Sequence, residues 1–202
     1  MFGRREGSKM VRSFEEDLKE SNTKTLRDEW ERVLKTIFGE DIWIEFKDDK
    51  KIQLGFGTDI TIKQKNGRRF SIELKTKRYE LIPFNSWVLE LKHHIYSDDK
   101  RTKKLESKDG WLYTSTAEYV IYGALNEDKD KIVEVCGFTL VPFKYEEFKN
   151  EISKLPVKFS STKFNNGNYQ LTVFCLATTN FLEVNANQFW HFQLGGKIND
   201  YF

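Results

Sequence analysis

The sequence predicts an α+β fold in a single domain, with one long amphipathic helix ahead of a run of β-strands. Three observations carry this. Leu26, Trp30, Val33, Leu34 and Ile37 recur at helical spacing before Gly39. Residues 52–63 and 69–77 alternate and are separated by Gln64-Lys65-Asn66-Gly67, whose Asn-Gly step favours a tight hairpin. Further alternating pairs follow at 119–125 with 132–141 and at 157–163 with 169–176.

Each element has its own reason. Residues 1–20 read as a basic N-terminal arm, with a short helix at 13–20. The helix at 25–38 takes Thr25 as N-cap, with Asp28 three residues on, and Gly39 stops it. Strands are expected at 42–47, 52–63 and 69–77, then an extended segment at 87–95. A polar, basic loop is expected at 97–110, and the run from Thr114 to Tyr119 is compatible with the start of a short helix. The pair 119–125 and 132–141 turns through Asn-Glu-Asp-Lys-Asp-Lys. Phe143, Phe148, Ile152 and Leu155 line one side of a helix at 143–155. Asn165-Asn166-Gly167-Asn168 turns the last pair, and the aromatic tail is expected to pack on the body.

Composition narrows the class. With 17 Phe, 8 Tyr and 5 Trp among 202 residues, the chain is too aromatic to be disordered. The formal charge of +2 identifies no partner, but its distribution is uneven. Between Lys63 and Arg78 stand seven Lys or Arg against one acid, Glu73; between Lys92 and Lys108, six against three. Cys136 and Cys175 lie in apolar strand-like runs and read as buried thiols in a reducing compartment. The first residues carry no apolar signal segment, and no run has the length of a membrane span, so an intracellular protein without membrane partners is expected.

Strand parity brings the chemistry together. Side chains alternate faces, so Asp59, Thr61 and Lys63 share one face of their strand and Ile60 and Ile62 the other. On the next strand Phe70, Ile72 and Leu74 point one way. Ser71, Glu73, Lys75 and Lys77 point the other, away from the core. Pairing through the Asn-Gly hairpin sets Asp59 beside Glu73 and Lys75. Two carboxylates on adjacent strands suit a hard cation, and a neighbouring lysine suits an attacking water or a charged transition state. The bland alternative is a solvated face with cross-strand ion pairs. His93 and His94 face opposite ways and do not serve one site easily. Trp87, Trp111 and Tyr113 are read as core packing, with stacking on nucleic-acid bases as the alternative.

Asp59, thirteen intervening residues, and then Glu73-Leu74-Lys75 on a hairpin after a helix resembles the PD-(D/E)XK nuclease superfamily, which includes restriction endonucleases, archaeal Holliday junction resolvases and many phage and viral nucleases. The family's proline is replaced by Thr58, and Glu90-Leu91-Lys92 is a second copy of the triplet. The resemblance implies an αβββαβ restriction-endonuclease-like core over 24–140, a central mixed sheet flanked by helices, with residues 141–202 as an extension carrying extra strands. It implies an endodeoxyribonuclease using Mg²⁺ or Mn²⁺, acting on DNA, branched DNA included, and working as a homodimer. Asp59 and Glu73 would be metal ligands and Lys75 the catalytic lysine. The first helix would add Glu29 or Glu31, with Glu29 preferred. Arg68, Arg69, Lys77, Arg78, Lys100, Arg101, Lys103 and Lys104 would contact DNA. The alternative is a non-catalytic DNA-binding or assembly protein on the same fold.

Overall fold

The computed structural model describes residues 24–47, 59–77, 85–164 and 166–194. The arm at 1–20, the first half of the expected strand at 52–63, Arg78 and the last eight residues lie outside them. Helix α1 (Lys24–Phe38) ends at Gly39, whose φ of 93° and N–H bond to the Lys35 carbonyl close the last turn. Thr25 lies inside α1, because Lys24 is already helical, so it is not the N-cap.

Strands β1 (Ile42–Phe46), β2 (Ile60–Gln64) and β3 (Arg69–Lys77) form an antiparallel meander. Gly67 sits at φ 85°, and Asn66 Oδ1 accepts from the Arg68 N–H at 2.9 Å; together they close the hairpin. The chain then leaves this sheet. β4 (Ser86–Tyr96) and β5 (Lys104–Asp109) make a second hairpin, and a single helical turn, α2 (Trp111–Thr114), follows. It returns with β6 (Tyr119–Leu125), which pairs parallel to β3, and β7 (Ile132–Thr139), antiparallel to β6. After a 3-10 turn (Val141–Lys144) come α3 (Glu146–Ser153), β8 (Val157–Lys163), β9 (Tyr169–Thr178), α4 (Thr179–Asn185) and β10 (Phe189–Gln193).

The molecule is α+β, with a mixed six-stranded sheet in the order β1-β2-β3-β6-β7-β10 and a four-stranded sheet in the order β5-β4-β9-β8. The large sheet has a core on each face. One face carries Ile60, Ile62, Phe70, Ile72, Ile121 and Val135 against Leu26, Trp30, Val33 and Leu34 of α1. The other carries Val120, Tyr122, Cys136 and Phe138 against Trp87, Leu89, Cys175 and Ala177 of the small sheet, with Trp111 and Leu112 of α2 and Leu182 of α4. Among the described residues no helix is long and apolar enough to cross a membrane.

Several expectations change. The segment 97–110 is not all loop, since β5 occupies most of its second half; its side chains are exposed on both faces, so no apolar alternation marks it. The helix expected at 143–155 breaks at Tyr145, which is extended at φ −79°, ψ 149°. The short helix lies at Trp111–Thr114, earlier than the run that suggested it. α4 was not anticipated; Thr178 caps it, its Oγ1 accepting from the Phe181 N–H. Between β3 and β6, the described crossover is two strands and one helical turn where the resemblance implied a helix. The last third of the chain is woven into the body, because β9 pairs with β4 and β10 with β7.

Candidate active site

Asp59 stands at the entrance to β2 and is fixed by backbone and side chain. Its N–H donates to the Ile72 carbonyl at 3.0 Å, and its carbonyl accepts from the Lys47 N–H at 2.8 Å. Its Oδ2 accepts from the Leu74 N–H at 2.7 Å. Since Ile60 faces Ile72 across the hairpin, Asp59 lies beside Glu73.

Glu73 projects from the face of β3 opposite Ile72, as parity requires, but that face is not open. The second core covers it, and Glu73 is only 4% exposed. Its Oε1 accepts from Lys75 Nζ at 2.5 Å and its Oε2 from Ser115 Oγ at 3.4 Å. The Lys75 ammonium also lies 5.5 Å from the centre of the Trp111 ring. α2 and the turn after it thus supply two of the groups that hold the pair in place.

Burial sets the protonation. It pushes the Glu73 carboxyl up to about 7; Lys75 pulls downward, while Asp59 and Glu90 push upward with burial. Asp59 is also raised by burial, against Lys75 and the Leu74 N–H. Burial works to lower Lys75, but Glu73, Asp59 and Glu90 together outweigh it, and its pKa is raised. Lys75 is therefore cationic at neutral pH, a donor and positive charge at Nζ and not a ready base.

Glu90, which the sequence offers as a surface strand residue or a supporting group near the metal, acts on the site electrostatically from β4. Its Oε2 lies 3.5 Å from His93 Nε2, and His93 Nδ1 is 3.1 Å from Thr172 Oγ1. The β4–β9 register slips beside it: Glu90 faces Phe174 and Lys92 faces Val173, leaving Leu91 bulged. Ser115, next to the chain's return into β6, is a group that no sequence motif marked.

Other expected site residues lie elsewhere. Glu29 is not brought to the carboxylates. Its Oε2 pairs with Arg32 at 2.6 Å and accepts the Ile132 N–H at 3.1 Å, and α1 packs on the opposite face of the sheet. Glu31 pairs with Lys35 on the exposed side of α1. Lys77 is buried, its Nζ 4.2 Å from the centre of the Trp87 ring, so it has no open face to offer a phosphate. Burial lowers its pKa, against Glu134 and Cys136. Arg78 lies outside the described residues. Arg68 and Arg69 are exposed at the β2–β3 hairpin, with the Arg68 guanidinium 5.6 Å from the Phe70 ring and 3.3 Å from Tyr119 Oη. Lys100, Arg101, Lys103 and Lys104 are exposed around the β4–β5 turn, ~20 Å along β4 from Glu90. Trp87 and Trp111 are buried and Tyr113 half-buried, as core packing demands.

The oxygen donors of Asp59 and Glu73 have the chemistry of a magnesium or manganese site, and their raised pKa values are those of buried carboxylates with too little positive charge nearby. Among the described residues, however, no three His, Cys, Asp or Glu side chains are placed to hold one ion. No family model, curated protein or solved structure matches this chain.

Proposed function

We propose that the chain is a metal-dependent endodeoxyribonuclease of the PD-(D/E)XK kind, built on a variant of the restriction-endonuclease-like core. The observation that carries this is the placement of Asp59, Glu73 and Lys75. Two raised carboxyls lie side by side on adjacent strands, with a charged lysine on one of them. A solvated strand face would leave these groups exposed, whereas Glu73 is buried.

Asp59 and Glu73 would hold the cation, Mg²⁺ or Mn²⁺, whose contribution when bound is to polarise a phosphate oxygen and acidify a water. The rest is the work of the chain's own groups. Lys75, fixed between Glu73 and the Trp111 ring, places its charge where negative charge grows on the phosphate oxygens. Ser115 holds the far oxygen of Glu73, so the carboxylate keeps its orientation. The products would be a 5′-phosphate and a 3′-hydroxyl. Cutting both strands of a duplex or branched substrate calls for two sites, which a homodimer would supply.

One observation favours the second reading, a DNA-binding protein without chemistry: the described residues offer no third ligand in place. Plasmid and four-way-junction DNA incubated with Mg²⁺ or Mn²⁺ separate the two. We expect cleavage by the wild type, and a loss of at least a hundredfold in Asp59→Ala, Glu73→Gln and Lys75→Ala. Intact DNA binding without cleavage in any metal would overturn the nuclease reading.

A further inference from the structure

The face of β1–β3 that carries Asp59 and Glu73 continues beyond them as an open surface. Residues opposite each other on neighbouring strands share a face. Trp43 faces Lys63, which faces Arg69; Glu45 faces Thr61, which faces Ser71. Continuing the register by one more row lines up Lys47, Asp59 and Glu73. The rows are two residues apart, so the first lies ~13 Å from the carboxylates along the strands.

The first row is unusual. Trp43 is 61% exposed, although tryptophan is mostly buried in folded proteins. Lys63 beside it and Arg69 one strand further on are exposed cations, and Lys63 Nζ lies 5.9 Å from the Trp43 ring centre. The middle row gives the hydroxyls of Thr61 and Ser71, both half-buried, and a Glu45 carboxylate tied to Lys47 at 2.6 Å. An exposed aromatic ring on the edge strand, with two cations in line beside it on the next two strands, suits base stacking on the ring while neighbouring phosphates meet the charges.

We propose that this face is the binding surface for an unpaired DNA strand, with Trp43 stacking on a base and Lys63 and Arg69 holding phosphates. The strand then runs over Thr61 and Ser71 toward the half-buried Asp59, at the rim of the covered Glu73–Lys75 pair. This rests on the nuclease reading for its direction, and it names the substrate as DNA with a single-stranded segment beside the cut.

The test is binding of a fluorescently labelled oligothymidylate in EDTA, where no cation-dependent cleavage occurs, followed by anisotropy. Wild type is expected to bind it, Trp43→Ala to weaken it by on the order of tenfold, and Trp43→Phe to retain most of the affinity. Arg69→Ala should reduce the salt slope by about one. Trp30, Trp87 and Trp111 are buried and the half-buried Trp190 packs on the α1 face against Phe38, so quenching of tryptophan emission by the strand should largely disappear in Trp43→Phe. Thermal melts of the variants serve as the folding control. Equal affinity of wild type and Trp43→Ala overturns the proposal, as does a wild type that binds no strand. If the Trp43 effect holds and no metal gives cleavage, the surface stands and the nuclease reading falls; cleavage with no Trp43 effect gives the reverse.

Discussion

Glu73 carries the largest electrostatic cost at the site, and that cost has a sign. Its carboxyl is raised to about 7 in the folded protein, whereas an ordinary unfolded glutamate titrates near ~4.3. A raised carboxyl favours the folded state while protonated. Its stabilisation is fully present below the unfolded value and is lost as pH rises through the folded one. The cation-free protein should therefore lose stability between about pH 4.5 and 7 on account of this group, by roughly 2–4 kcal/mol at most. Glu73→Gln removes the titration; in EDTA it should melt higher than wild type at pH 8, with the gap closing by pH 5. Melts of both proteins at the two pH values, in the same buffer salts, check this. A variant that melts lower at pH 8 would mean that the Lys75 ion pair outweighs burial. At the same scale, Asp59, Glu73 and Lys75 were legible because strand period alone puts them on one face. Trp43 was legible by the same rule, alternating with Ile42 and Ile44, though nothing in a motif pointed to it. Glu29 and Lys77 were not, because their fates depend on the Ile132 N–H and on Trp87, groups that no local pattern connects to them.

Elements were legible where a buried face imposes a period. β2, β3, β6, β7 and β9 each set a row of apolar side chains into a core, and the sequence alternates accordingly. β5 escapes this logic because it buries neither face, and α4 because a seven-residue helix offers too few turns for a period to show. The crossover between β3 and β6 holds the tightest approach to any of the described glycines. A methyl group at Gly110 would lie 2.3 Å from the Glu90 carbonyl oxygen and 2.8 Å from the Leu91 nitrogen. Gly110 N–H also donates to the Leu91 carbonyl at 2.9 Å. This junction sets α2, and hence Trp111 under Lys75, against the bulge at Leu91. Gly110→Ala must push two backbones apart, at a cost of about 1–3 kcal/mol. Its melting temperature should fall by several degrees. DNA cleavage should fall more than the folded fraction does, since Trp111 shifts with the junction. An unchanged melt would show that the junction yields freely.

At the scale of the whole molecule, the sequence suggested a core at 24–140 with residues 141–202 as an addition, and the pairing of strands argues against such a division. β9 is the inner strand of the small sheet, bonded to β4 on one side and β8 on the other. Without it β4 and β5 would be an isolated hairpin, which is marginal in water. The same segment brings Cys175, Ala177 and Leu182 into the core that covers Glu73, and β10 lays Trp190 against Phe38 and Tyr119. None of this could be read from local periodicity, because sheet order is a long-range property. The linkage gives a clear expectation for a chain ended after Leu155. Trp87, Leu89 and Tyr122 would lose their partners on one side, the cover over Glu73 and Lys75 would open, and the β7 edge would be exposed. Such a chain should show no cooperative thermal transition by circular dichroism and no metal-dependent cleavage. If it instead melts cooperatively, the large sheet and α1 suffice for folding. In that case burial by the small sheet should still be missing at the site, and Glu73 should titrate near an ordinary carboxylate when followed by carbon NMR.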